Sequence, residues 1–311
     1  MQELSIVVPV YNEGLNVKAL HQEIVDVCRA ADYRYEIIFV DDGSTDNTLD
    51  VLKTLAPVKV VVMRKNFGQT AAMDAGIRRA KYDYIVTMDG DLQNDPADIP
   101  GMFRYLVEND LDVVAGWREQ RKDRMGKRFV SRGANLLRKI LLKDGIHDSG
   151  CSLKLYKKAC FDHVNLYGEM HRFIPALLEI KGYRVGEVKV KHRPRVAGQT
   201  KYDWKRTIKG FVDIIAVWFW NKYAVRPLHL LGGGGLLTIL CGLVVSVYTC
   251  FLFIIGQDLS NTVFPLLSIF LITTGIQLFI FGLLADIILK VYFERTNDVA
   301  YSIREYFESK R

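Results

Sequence analysis

Two long stretches without a charged residue, Leu228 to Ile255 and Val263 to Ala285, limit what this chain can fold into more than any other feature. Each exceeds the roughly 20 residues that cross a bilayer as a helix. No water reaches the hydrocarbon, so backbone polar groups there must pair within the segment, and a helix achieves that alone. Two transmembrane helices over 228–289 are therefore expected; the alternative, a buried hairpin of a soluble core, would need two unusually long apolar runs back to back. Gly232 to Gly235 is tolerable inside such a helix where it packs against a neighbour. Lys222 and Arg226 precede the first run, Lys290 and Arg295 follow the second, and the connector from Gln257 to Thr262 carries only Asp258. By the positive-inside rule both chain ends lie in the cytosol, in a multi-pass protein of the cytoplasmic (inner) membrane. The start, Met1-Gln2-Glu3-Leu4, runs straight into an apolar stretch, and no secretory signal is expected.

The remainder has the size of one α/β domain. Leu4 to Val10, Tyr35 to Val40, Lys59 to Met63, Tyr84 to Met88 and Asp112 to Gly116 are short apolar, β-branched runs. Helical spacing separates them: Leu15 to about Ala31, Thr48 to Leu55, and Thr70 to Ala80. This alternation predicts a mainly parallel sheet with helices on both faces. Strand two ends in Asp41-Asp42-Gly43-Ser44 and strand four in Asp89-Gly90-Asp91-Leu92-Gln93. Such sheets bind ligands beyond the carboxyl ends of their strands, where clustered oxygens suit a divalent cation on a diphosphate. Each acidic group alone also reads as a turn or a helix cap.

Charge is distributed unevenly. Between Arg118 and Asp144 ten lysines and arginines face Glu119, Asp123 and Asp144, and ten more lie between Lys181 and Lys209, followed by Trp218, Phe219 and Trp220. Because the second stretch leads directly into the spans, anionic headgroups fit better than nucleic acid as the partner. Arg128 to Leu142 places Phe129, Leu136, Leu137, Ile140 and Leu141 near one helix face, which suits either an interfacial helix or packing on the sheet. The expected division is a domain over 1–202, interfacial helices over 203–227, the spans over 228–289 and a cytosolic tail over 290–311. The five cysteines form no C-x-x-C and are expected to stay reduced, and the six histidines show no zinc spacing.

The motifs, in order, are Val-Val-Pro-Val-Tyr-Asn-Glu (7–13), Val-Asp-Asp-Gly-Ser-Thr-Asp (40–46), Arg-Lys-Asn-Phe-Gly-Gln (64–69) and Met-Asp-Gly-Asp-Leu-Gln (88–93). This series resembles the family-2 glycosyltransferases of the GT-A (Rossmann-like) fold. Asp148-Ser149-Gly150-Cys151, Glu169-Met170-His171-Arg172-Phe173-Ile174-Pro175 and Arg195-x-x-Gly198-x-Thr200-Lys201-Tyr202 resemble the polyprenyl-phosphate branch. That branch includes dolichyl-phosphate mannose synthase and bacterial undecaprenyl-phosphate sugar transferases, and the similarity extends through both spans.

The resemblance implies that Pro9, Tyr11, Glu13 and Asp42 line a nucleotide pocket, with Asp42 accepting from a base N–H. It implies that Asp89 and Asp91, with Gln93, hold Mg²⁺ or Mn²⁺ on the donor diphosphate. Arg118 falls near the donor pyrophosphate, and Arg128, Arg195 and Lys201 on the acceptor phosphate. Asp148 is expected near the sugar, either positioning it or acting as a base; the alternative is a turn residue before Gly150. His171 is assigned no catalytic role. The implied activity is inverting transfer of one sugar from a nucleotide-sugar, a UDP-sugar favoured, to polyprenyl phosphate on the cytosolic leaflet, for cell-envelope glycan modification. A lipid phosphate, with a second pKa of about 6, is largely dianionic and can attack without a base. Two spans are too few for a polymer-extruding channel. A non-enzymatic membrane scaffold or flippase partner, and transfer to a glycan or protein hydroxyl, are the competing functions. A homo-oligomer through the spans and the segment after Tyr292 is also expected.

Overall fold

The computed structural model of the chain describes residues 2–118, 145–162, 164, 166, 168, 170–194, 227–259 and 262–296. It divides into two compact units, 1–217 and 218–311.

The first unit is built on one seven-stranded sheet in the order β3-β2-β1-β4-β6-β5-β7. The strands are β1 (Glu3–Val10), β2 (Arg34–Asp41), β3 (Lys59–Val62), β4 (Tyr84–Thr87), β5 (Val113–Trp117), β6 (Lys154–Lys157) and β7 (Val185–Lys189). β1 to β4 pair in parallel and β7 is parallel to β5, while β6 alone runs antiparallel, inserted between β4 and β5. The expected mainly parallel GT-A-like sheet with helices on both faces is what the chain forms. The strand order reverses at β1, which passes first to β2 and later to β4, so the crevice between the ends of β1 and β4 is the natural binding point.

Alternation along β1 assigns its residues to two cores. Leu4, Ile6, Val8 and Val10 pack with α1 (Val17–Ala30), α2 (Thr48–Lys53) and α4 (Ile99–Glu108). Val7 faces the other way, with Ile38 and Val40, against α3 (Gln69–Ile77) and α5 (Ile174–Ile180). Burial on both faces explains why β1 and β2 read as continuous apolar runs. Pro9 has no N–H to donate, but β4 pairs with β1 only over Leu4 to Val7, so Pro9 lies beyond that ladder.

The second unit contains α6 (Pro227–Ile254) and α7 (Phe264–Thr296). Both are long and apolar enough to cross a membrane, with mean hydropathies of 2.4 and 2.2 over an 18-residue window of each. Glycine faces bring the helices together: a Cβ added to Gly275 would lie 2.6 Å from the Gly235 carbonyl oxygen and 2.8 Å from Ile239 N. α7 continues beyond Lys290, past the boundary expected for the tail. The proposed helix over 128–142, the interfacial segment 203–227 apart from Pro227, and residues 297–311 lie outside the described residues.

Candidate active site

Three loops at the carboxyl ends of β1, β2 and β3 are stitched together by side chains of the first two and main-chain N–H groups. Asn12, at φ 54°, donates its N–H to Ser44 Oγ (2.9 Å) and accepts from Thr45 N at 2.7 Å. Glu13 N donates to Thr48 Oγ1 (2.8 Å), and its carboxylate accepts from Asn16 Nδ2 at 2.6 Å. Asp42 is buried, and its two oxygens accept from Phe67 N (2.7 Å) and Gly68 N (2.9 Å), just before α3. Gly43 is needed for this approach: at φ +72° its Cβ would meet the Lys65 carbonyl carbon at 2.5 Å. Each Asp42 oxygen keeps a second lone pair for a ligand.

Past β4, the Asp89 carboxylate accepts from Gln69 Nε2 at 2.6 Å, and its N–H donates to Asn94 Oδ1 at 3.2 Å. Asp91 is 7% exposed, and accepts from Gln93 N at 3.2 Å. Withdrawal from water, then the Asp91 charge, raise the Asp89 carboxyl above the usual range. Two like-charged carboxylates held this close fit a divalent cation, which would relieve their repulsion. Among the described residues no group of three or more His, Cys, Asp or Glu is placed for a metal. The donor set instead suits a cation that takes its remaining ligands from substrate phosphates and water.

Beside this pair, Arg118 follows β5 and grips Asp148 through Nε (2.7 Å) and Nη2 (3.0 Å), with its own N–H at 3.3 Å. Burial opposes the guanidinium charge, but Asp148 outweighs it and holds the pKa above its usual value. The Asp148 loop is anchored from the other side by Glu187 of β7, which accepts from His147 N (3.0 Å) and Asp148 N (2.9 Å). Lys154 of β6 is buried at 2% exposure, and loss of hydration pushes its ammonium down to about 8. Two acids, an arginine fork and a buried lysine are thus gathered beyond the end of β4.

Residues 5–164 match the model of Glycosyl transferase family 2. This chain is a family-2 glycosyltransferase. It is 38% identical over 317 residues to the dodecaprenyl-phosphate galacturonate synthase of Rhizobium johnstonii, covering 99% of this chain and 94% of that one. It is 32% identical to the undecaprenyl-phosphate 4-deoxy-4-formamido-L-arabinose transferase of Yersinia pestis, covering 100% and 94%. A similar fold occurs in glucosyl-3-phosphoglycerate synthase from Mycobacterium tuberculosis, solved with Mn²⁺ and UDP-glucose: TM-score 0.53, 17% identity, 71% of this chain and 79% of that one.

Of the site residues named from the glycosyltransferase's sequence, Pro9, Tyr11, Glu13 and Asp42 fall at the ends of β1 and β2. Asp89, Asp91, Arg118 and Asp148 form a cluster around the end of β4, linked by hydrogen bonds or mutual charge effects. The Gln93 amide donates to the Arg193 carbonyl, at 3.5 Å. Arg128, Arg195 and Lys201 lie outside the described residues. Reading the sequence missed Gln69, Asn94, Lys154 and Glu187 as site residues. Gln69 sat in a quoted motif, and Leu153-Lys154-Leu155-Tyr156 carried a strand pattern masked by its lysine.

Proposed function

We propose that this glycosyltransferase moves one sugar from a nucleotide-sugar, UDP-linked by preference, onto polyprenyl phosphate at the cytosolic leaflet, with inversion. The observation that carries the reading is the Asp89 and Asp91 pair at the mouth of β4, with the Arg118–Asp148 fork alongside. The names of the full-length relatives support polyprenyl phosphate as acceptor. The transferase solved with Mn²⁺ and UDP-glucose supports a divalent cation and a UDP-sugar.

In this reading, a lipid phosphate oxygen attacks the anomeric carbon as the bond to the nucleoside diphosphate breaks, and the diphosphate leaves with the electron pair. Back-side attack gives the β-linked product from an α-linked donor. A dianionic phosphate needs no proton removed, so Asp148, with both oxygens gripped by Arg118, acts by holding that arginine. Asp89 and Asp91, with Gln93, would hold Mg²⁺ or Mn²⁺, whose chemistry there would be Lewis-acid stabilisation of the leaving diphosphate. Asp42, with Pro9, Tyr11 and Glu13, serves the nucleotide, and Arg128, Arg195 and Lys201 steer the acceptor phosphate. The domain division expected from the sequence, with both ends cytosolic and a homo-oligomer formed through the spans, completes the proposal.

Membranes containing the protein, labelled UDP-sugars and polyprenyl phosphate test it. The expected product is a lipid carrying one sugar; chelation abolishes it, and Asp91→Ala lowers the rate by about 100-fold or more, equivalent to about 3 kcal/mol. Transfer that survives chelation, or that persists without lipid phosphate, refutes the mechanism. The relatives differ in sugar, so measuring nucleotide release across a donor panel assigns it.

A further inference from the structure

Lys154 sits where an apolar residue would be expected. It lies on β6, directly opposite Thr87 of β4, and shares a sheet face with Tyr156, the face covered by α3 and α5. At 2% exposure its ammonium has given up its hydration, which is costly unless the charge is used. No carboxylate lies within salt-bridge distance among the contacts described. Its donors go to two main-chain carbonyls: His171 O at 3.1 Å and Ser149 O at 3.4 Å.

Those two carbonyls belong to opposite walls of the site. Ser149 follows Asp148, which grips Arg118. His171 lies in a short 3₁₀ turn, and its Nδ1 pairs with Thr70 Oγ1 at 2.7 Å, in the first turn of α3. The neighbouring Gln69 donates to Asp89. One lysine thus joins the wall carrying Arg118 and Asp148 to the wall carrying Gln69 and Asp89. Its surrounding charged and titratable groups are Cys151, Asp148, Asp89 and Arg118.

We infer that Lys154 is a positioning residue for the sugar of the donor: it fixes the spacing of the two walls without touching the substrate. This rests on the proposed function, since a diphosphate held at Asp89 and Asp91 puts its sugar between those walls. None of the hydrogen bonds described for the nucleotide side, on Asp42 and the loops after β1 to β3, is made by the lysine. Its loss therefore affects the sugar and spares the nucleotide.

The test compares full-length wild type, Lys154→Met and Lys154→Arg in detergent. Binding of UDP, UDP-glucose and UDP-galacturonate is measured beside transfer kinetics and thermal midpoint. Lys154→Met is expected to bind UDP within about threefold of wild type, to lose the affinity difference between UDP and the preferred UDP-sugar, and to lower kcat about 100-fold, the cost of misplacing reactants by about 1 Å. Lys154→Arg, which keeps a cationic donor, should recover most of kcat. Unchanged sugar affinity and kcat in Lys154→Met overturn the inference. So does a parallel loss of UDP and UDP-sugar binding that Lys154→Arg leaves unrescued, because that is a purely structural defect. Should Lys154→Met fail to fold, Thr70→Val decides by loosening the His171 wall from α3: a roughly tenfold lower kcat with UDP binding intact supports the inference, and no change overturns it. The binding arm needs no acceptor, so it judges Lys154 even if wild-type protein fails to glycosylate polyprenyl phosphate, a result that would refute the proposed function instead.

Discussion

Glu36 on β2 shows how a single carboxylate ties distant parts of the chain. It is buried and accepts from Ser5 Oγ (2.6 Å), Lys59 Nζ (2.5 Å) and Lys81 N (2.6 Å), joining β1, β3 and the approach to β4. Burial raises its pKa, but the three donors outweigh burial and leave it below the ordinary value. A folded pKa below the unfolded one, about 4.3, gives stability that is present above that pH and lost as acid takes the group through its folded pKa. Glu36→Gln is expected to cost about 2 kcal/mol at pH 7, with the gap in thermal midpoint to wild type closing as the pH is taken down from 7 through and below the unfolded value of about 4.3. A gap that stays constant across that range refutes the assignment. The same scale shows what sequence could and could not reveal. Asp89 and Asp91 alone read as an acidic turn; their place after the fourth strand of an alternating pattern, with Asp42 at a companion strand end, made them legible as a candidate site. Asp42 was only half legible: its motif marked a ligand pocket, but its grip on Phe67 N and Gly68 N needs the fold to bring residues 25 and 26 positions away alongside it.

Among the elements, β1 to β5 and α1 to α3 were readable because each carries an uninterrupted or periodic apolar set. β6 and β7 were not. Lys154 and Lys157 break the pattern of β6, and β7 is only partly buried at the sheet edge and carries Glu187 and Lys189. α4 and α5 begin with Pro100 and Pro175, which suit a first turn but punctuate the sequence like loops. The α6 and α7 pair was legible as two long apolar helices, while their contact was not, since four consecutive glycines do not reveal which of them face a partner. Gly235 and Gly275 do, whereas an added Cβ at Gly233 meets nothing within 4 Å. Gly275→Val should therefore destabilise the detergent-solubilised protein by about 2 kcal/mol, the cost of overpacking in other cores, with Gly233→Ala neutral or slightly stabilising. Circular dichroism melts of both variants check this, and equal effects would argue against the glycine interface.

For the whole molecule, the decisive information lies in the order of parts: a phosphate-handling sheet domain, then two apolar helices. The lysines and arginines flanking the spans predict that the connector near Asp258 faces away from the cytosol while both ends stay inside. A cysteine placed at Asp258 in a background lacking native cysteines should react with an impermeant maleimide added outside intact cells, and one placed at Glu3 should not. Reversed labelling would invert the topology and move the donor site to the side without nucleotide sugars.

Arg193 has a practical consequence for exchanging parts between relatives. Its N–H donates to Gln93 O at 2.9 Å, and its guanidinium reaches Glu23 and Asp95 at 2.7 Å each. A graft that takes only the segment from residue 190 onward would import a key without its lock. Chimeras that exchange this segment should carry positions 23, 93 and 95 from the same parent, because its anchorage to the sheet domain runs through those three residues.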